Sequence, residues 1–584
     1  MKNHLFLIAA SLIGLTSFCQ TNLKSVTSDQ ATIPNESIYV HLNSTLLFSG
    51  ESLQYKIFCM NSSSKKLSQV SKIGYIALVG RGDEIVFINK QRLLNGEGNG
   101  DFFIPASVPT GSYKLLGYSE WMKNWPVDNF FQTDVYIINP YKPIPKPYLN
   151  DLADSSDVTL VNKIHDNLNI RKFEKNSTYL DLSISDTVLG KRRRVNLTLS
   201  ALNKSTMKGA YSLSVRKQMD MKAPRPKSPS AIRKSLEGDS KQLLKNKTII
   251  PEMRGEIISG KIVDKNELPT PNKKVALSLP GEHYILKTSL TNNEGEFFFI
   301  LERTYENNTA AIQLLEKDWN DYTIQIDVHS TNFGELNFSD FKLGPELTAS
   351  ILEKSIQIQI QNAYLKVRAD SVLKPLHGKH FYHTLETIYN LDDYTRLNSI
   401  PETFIEIIDQ VSIRNDNGGR VFQVRPPEGF TNSRLLPMVF VDGLFLRNFN
   451  NLMDFSAKKI KSIAYSRDKY ILGVEVFQGI ISFETFTGDF AETYFSPEIQ
   501  KIDLFKPQPE KVYFLQRYSE DKNQTLKRVP DFRHQLVWMP NLDLESNLSI
   551  EFYTSDLEGD YEIVLEGFTE TGFPVEVRKW IRVE

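Results

Sequence analysis

The sequence predicts a mostly β protein, built of tandem β-sandwiches with a small α+β module behind them. Apolar and polar residues alternate over much of the chain, and clusters of Gly, Pro and Asn interrupt the alternation at short intervals. Aromatics are plentiful, with 35 Phe and 24 Tyr, the residues that fill sandwich cores and cross-strand pairs.

The N-terminus bears on compartment. Lys2 gives a short positive start, and Leu5 to Thr16 is an apolar run too short for a membrane helix. Ser17-Phe18-Cys19 then places small residues at the −3 and −1 positions of a signal-peptidase site. The expectation is a signal peptide over 1–19, with lipidation of Cys19 as the rival reading. No later stretch reaches the ~20 apolar residues of a membrane span, so the mature chain is expected to be soluble or peripheral. Without Cys19 only Cys59 remains, which excludes an intramolecular disulfide. Basic and acidic residues balance at 69 against 70, which gives no general attraction to nucleic acid or to an anionic membrane.

Residues 33–141 read as one sandwich. Leu53, Tyr55 and Ile57 point one way while Gln54 and Lys56 point the other. Asn95 to Gly100 is expected to be a loop, and Pro109-Thr110-Gly111 turns the chain into the next strand. The stretches FSGESLQYKIF and DFFIPASVPTGSYKLLGYSEW resemble the second domain of the α2-macroglobulin family, an immunoglobulin-like sandwich of about 100 residues. That family's protease trapping needs a Cys-Gly-Glu-Gln thioester, which this sequence lacks. The resemblance therefore implies a macroglobulin-like fold without the trapping chemistry.

Residues 142–217 alternate again, through Tyr179, Leu180, Leu182 and Ile184 and then Val195, Leu197 and Leu199, and predict a second, smaller sandwich. Residues 218–251 read as a basic flexible linker. Arg216 to Lys247 carries ten basic and three acidic residues with Pro224, Pro226 and Pro229, too little apolar surface to fold alone. Its charge could hold an acidic partner; a solvated loop is the plainer reading. Residues 252–330 return to strands, with Asn292 to Gly295 as a turn joining two of them. IISGKIVDKNELPTPNKKVALSLP and TSLTNNEGEFFFIL resemble the carboxypeptidase regulatory-like domain, a small sandwich that implies no catalytic residues of its own.

Residues 331–415 are expected to be a helical connector. Leu352, Ile356, Ile360, Ala363 or Tyr364, and Val367 recur at three to four, an amphipathic helix within 346–372, although Ile356, Ile358 and Ile360 would also suit a strand. Further helical pieces are expected at 386–390 and 402–410. In 416–490, Met438 to Val441 is a strand ending in the Asp442-Gly443 turn, and two more strands follow at Ile460 to Tyr465 and Gly479 to Phe483. Pro437, Val441, Asp442, Gly443, Ile460, Ile463, Gly479, Ile480 and Ile481 match the plug domain of TonB-dependent outer-membrane receptors, which this segment resembles. Only 98 residues follow Phe486, whereas a barrel of that class takes about 9–11 residues for each of many strands. The implied module is plug-like and α+β, without its barrel. Residues 491–584 are a connector and a C-terminal β meander, expected to complete a sheet with an earlier segment. The order of modules resembles large envelope proteins of Gram-negative bacteria.

The constellations with chemical potential are few. His377, His380 and His383, with Asp392 and Asp393 downstream, carry zinc-ligating groups. Their spacing puts His377 and His383 roughly 600° apart on a helix, so they converge poorly. His383 and Glu386 match the His-x-x-Glu of zinc carboxypeptidases. Only His534 follows as a distant third ligand, and the βα units of that fold are missing, so the match is rejected. Gly117-Tyr118-Ser119-Glu120-Trp121 lacks the second glycine of a nucleophile elbow. Lys191 to Arg194 beside a strand reads as a solvated turn rather than a nucleic-acid patch. No catalytic, cofactor-binding or metal-binding residue is assigned, and no cofactor.

The expectation is an exported, outer-membrane-associated and non-catalytic interaction protein, a subunit or accessory factor of an assembly or transport complex. Its partners would be outer-membrane proteins, a β-barrel among them, and not nucleic acid. The alternative is a surface glycan- or peptide-binding protein of an uptake system, with Trp121 and Trp125 as its platform. A metallohydrolase using the histidines is the third reading.

Overall fold

The computed structural model describes residues 35–149 and 176–584, apart from positions 83, 203–207, 220, 222, 226, 236–247, 375–381, 383, 384, 386, 417, 418, 431–433, 519–527, 543, 545 and 546. The stretch expected to be a signal peptide, with Cys19, lies outside them, as do His377, His380, His383 and Glu386. The described residues are mostly β and form three sandwiches and a mixed α+β unit.

In the first sandwich a three-stranded sheet (Glu36–Leu42, Ser52–Asn61, Glu97–Phe103) faces a five-stranded one (Leu46–Phe48, Phe131–Ile138, Gly111–Tyr118, Ile73–Val79, Ile85–Arg92). Leu53, Tyr55 and Ile57 fill the space between them, as period two requires. Lys56 on the opposite face is buried as well, because the second sandwich covers that face. Its Nζ lies 2.6 Å from Glu97 Oε2 and from Asn541 Oδ1. The expected loop at 95–100 is shorter than predicted. Only Asn95 and Gly96, at φ +54° and +84°, turn the chain, and Glu97 already begins a strand. Gly98 serves close packing there, since a Cβ would sit 2.8 Å from Arg92 O.

The segment 142–217 does not make a sandwich by itself. It supplies Leu180–Ile184, Val188–Leu189, Arg194–Ala201 and Gly209–Lys217, while the C-terminal region supplies Gln535–Leu542, Leu548–Tyr553, Gly559–Thr569 and Pro574–Val583. Gly209–Lys217 is central and needs partners on both edges. It pairs with Gly559–Thr569 on one side and Gln535–Leu542 on the other. Sequence distance opposes such pairing only weakly, because loop-closure entropy grows with the logarithm of length.

The third sandwich packs Glu256–Asp264, Glu296–Leu301 and Tyr322–Ile326 against Lys274–Leu279, Ile285–Leu290, Thr309–Leu314 and, from the later connector, Ile499–Asp503. The turn at 292–295 has Asn292 Oδ1 accepting from the backbone N–H of Glu294 (3.0 Å) and Glu296 (2.8 Å). It links two strands that lie in different sheets, so it is an arch across the core rather than a hairpin.

The α+β unit holds a five-stranded sheet in the order Thr387–Asn390, Ile460–Leu472, Glu475–Thr485, Met438–Val441, Leu444–Leu446. Met438–Val441 runs parallel to its Glu475–Thr485 neighbour. Residues 387–390, expected to be helical, are an edge strand, because they meet the open edge of Ile460–Leu472. The helix expected at 402–410 runs Ile400–Glu406, opened by a capping box between Ser399 and Glu402, and a strand begins at Val411. The unit thus reaches back well before residue 416. In the basic stretch 218–251, described residues 229–235 form a short helix, and Met221 and Ile232 are buried against other parts of the chain. That part of the stretch is docked by apolar contacts rather than solvated throughout.

Candidate interaction surface

The amphipathic helix within 346–372 spans Thr348–Ala363, followed by a 3-10 turn at Leu365–Arg368 and a short strand at Ser371–Val372. An amphipathic helix on a globular protein ordinarily turns its apolar stripe inward. This one turns it outward. Leu352 is 61% exposed, and Ile356, Leu365, Val367, Val372 and Leu373 are also exposed, while Lys354, Ser355 and Ile358 are buried.

Polar contacts help explain the inversion. Lys354 Nζ lies 3.1 Å from Glu51 Oε2, in the turn between the first strands of the first sandwich. It also sits 4.6 Å from the centre of the Phe48 ring. Asn362 Nδ2 donates to Gly50 O at 3.0 Å. Arg368 donates through Nη2 to Pro530 O at 3.0 Å and through Nη1 to Gln361 Oε1 at 2.7 Å. Gly50, at φ +95°, lets the helix come close, since a Cβ there would stand 2.8 Å from Ile358 Cγ2. Breaking a buried, hydrogen-bonded ion pair by losing one partner costs about 3–5 kcal/mol. Ile358 shares this inward face and packs with Leu46, Phe48 and Ile138, so charge and apolar contact together choose the buried face.

Glu51 is shared. Arg216 Nη2 reaches its other oxygen at 2.7 Å. Burial alone would raise the Glu51 carboxyl; Lys354 and Arg216 outweigh it and hold it at about 2. Lys354 is lowered to about 8, by burial first, with Arg216 adding to the effect against a single carboxylate.

The other candidate residues do not converge on a site. Trp121 and Trp125 are buried and pack edge to face at 5.2 Å, so they form no exposed platform. Lys191, Arg192 and Arg194 are each paired, with Glu558, Asp556 and Glu551. Asp392 pairs with Arg396 at 2.6 Å. Among the described residues no group of three or more His, Cys, Asp or Glu side chains is placed to hold a metal ion. Asp442 and Gly443 of the α+β unit face inward, against the third sandwich: Asp442 O accepts from Gly281 N at 2.8 Å.

One constellation had no sequence signal at all. Ser212 Oγ lies 2.6 Å from His41 Nδ1, and Glu566 Oε2 is 3.9 Å from His41 Nε2. In outline this is a nucleophile, a base and a carboxylate. All three are buried where the first and second sandwiches meet, under Trp538 and Tyr39, whose hydroxyl donates to Glu566 at 2.6 Å. A hydrolytic nucleophile needs room for a reacting carbonyl, and here the space is filled by side chains. The triplet is a buried polar seam between domains.

Fold and surface together define a multi-sandwich β protein with an uncovered apolar helix. No protein-family model matches the sequence, and no curated protein matches it. Among solved structures, the native conformation of E. coli alpha-2-macroglobulin is similar at TM-score 0.22 and 8% identity, over 94% of this chain and 40% of that one. Salmonella alpha-2-macroglobulin reacted with methylamine is similar at TM-score 0.22 and 8% identity, over 94% and 39%. The Yersinia pseudotuberculosis adhesin InvE follows at TM-score 0.12 and 9% identity, over 50% and 59%. The chain spans about two fifths of the length of the macroglobulins it matches. Similarity at this level adds nothing to the architecture described above.

Proposed function

We propose that this chain is a non-catalytic interaction protein of the cell envelope, exported and held at the outer membrane as a subunit or accessory factor of a larger assembly. The observation that carries the reading is the outward apolar stripe of the Thr348–Ala363 helix, continued by Leu365, Val367, Val372 and Leu373. Contiguous exposed apolar surface on a soluble domain marks a place where something else binds. Covering it would contribute up to about 1.5–3 kcal/mol for each aliphatic side chain fully buried. The macroglobulin-like, regulatory-like and plug-like readings of the three sequence segments, and the signal peptide, belong to the same proposal. The glycan-binding alternative has lost its platform with the burial of Trp121 and Trp125.

The test is co-purification from gently solubilised outer membranes, comparing the tagged wild type with a Leu352→Gln/Ile356→Gln variant. A stoichiometric partner held by the wild type and lost from a variant that unfolds at the same temperature supports the reading. A partner held equally by both places the interface elsewhere, and no partner on either removes the proposal.

A further inference from the structure

The charge cluster that seats the helix has an unusual residue beside it. His534, just before the Gln535–Leu542 strand, is 8% exposed, and neither ring nitrogen has a hydrogen-bond partner among the described residues. Most buried polar side chains are paired. His534 O accepts from Lys217 N at 2.8 Å, and the charges that act on its ring are Glu51 from the first sandwich, Lys354 from the helix, and Arg216 and Lys217 from the Gly209–Lys217 strand. Of these four groups only Glu51 is an anion. With Lys354 at 3.1 Å and Arg216 at 2.7 Å, its carboxylate is already divided between two cations.

We propose that His534 is an acid-sensitive latch: protonating its imidazole adds another cation around the single Glu51 carboxylate and releases the Thr348–Ala363 helix from the two sandwiches. The helix is held by this polar contact together with Ile358, which joins Leu46, Phe48 and Ile138 in an apolar cluster, so weakening the charge balance removes part of its hold. Burial, and then Lys354, push the His534 imidazole well below its ordinary 6.5 while the helix is docked. A helix that lifts away returns the imidazole to water and to its ordinary value. The sign follows. Above pH 6.5 both states are neutral at His534 and docking is at full strength. Below it only the released state takes up the proton, so docking weakens as pH falls. Glu51, held low when docked, adds loss in the same direction below its ordinary range. Lys354, also lowered when docked, acts in the same sense at alkaline pH. The latch goes beyond the proposed function and stands whether or not the outer stripe binds a partner.

Hydrogen–deuterium exchange of the full chain at pH 7.5 and 5.5, corrected for intrinsic rates, tests it. One pH unit below 6.5 should lower protection of residues 348–363 by up to about tenfold, with the Lys274–Leu279 strand of the third sandwich unchanged. His534→Leu should abolish the difference between the two pH values. His534→Gln, whose side chain does not titrate, should abolish it as well and serves if the leucine variant fails to fold. Equal protection at both pH values overturns the latch. So does an equal loss across the whole chain, or the same acid response in both variants.

Discussion

Asp442 holds Thr485 at two points: one carboxylate oxygen accepts the Thr485 backbone N–H at 2.8 Å and the other accepts its hydroxyl at 2.6 Å. The second oxygen also accepts from Phe490 N at 3.2 Å. Asp442 is at φ +46° and Gly443 at φ +79°, so the turn that the sequence marks is also the clamp that closes the α+β sheet.

Gly443 is pressed against the third sandwich, where a Cβ would lie 2.5 Å from Tyr284 Cβ and 2.7 Å from Gly281 O. Gly443→Ala is expected to cost about 1–3 kcal/mol, from the positive φ and from separating the two units. Limited proteolysis should then cut between the third sandwich and the α+β unit sooner than in the wild type. Unchanged cleavage would remove the turn's part in joining them.

Gly50→Ala tests the seat of the connector helix. The new methyl meets Ile358 at 2.8 Å and Asn362 Nδ2 at 3.0 Å, at a φ of +95°. The expected loss is about 1–3 kcal/mol, read as faster amide exchange at 348–363 while the strands of the third sandwich keep their protection.

Glu252 predicts an alkaline weakness. Its carboxyl accepts from Tyr75 OH at 3.0 Å and Ile257 N at 3.1 Å. Burial pushes it up to about 7, against an attraction from Lys90. Between its ordinary 4.5 and about 7 the folded chain keeps a proton that the unfolded chain has released, so stability falls as pH rises through that window and levels off above it. Glu252→Gln should match the wild type at pH 4 and unfold at a higher temperature at pH 8. The gain is of order 3 kcal/mol at most. Parallel melting temperatures from pH 4 to 8 would show that Glu252 is not the cause.

Cys59 offers a reporter of the first core. It is fully buried, and burial, with Glu36 nearby, pushes its thiol well above the ordinary value. It should resist a disulfide-exchange reagent until the first sandwich opens. Labelling at the rate of an exposed thiol under native conditions would contradict that packing.

Local signals were legible where the physics is local. Alternation in 52–61 shows which residues face the core. Asn292 and Asp442-Gly443 announce their turns because side-chain hydrogen bonding and positive φ are properties of those residues. The Ser399–Glu402 capping box acts just as locally but was not read from the sequence, and the helix was expected two residues later.

By itself, then, the sequence determined the β class, the turns, and the presence and period of the connector helix. Tertiary structure decided which strands pair, so that Gly209–Lys217 takes its neighbours from more than three hundred residues away. It also decided that 387–390 becomes an edge strand, and that the connector helix buries Lys354 instead of Leu352. The reason is that periodicity records which side chains differ in polarity, whereas burial depends on what the other surface offers. Here that surface offered the Glu51 carboxylate to Lys354 and apolar neighbours, Leu46, Phe48 and Ile138, to Ile358.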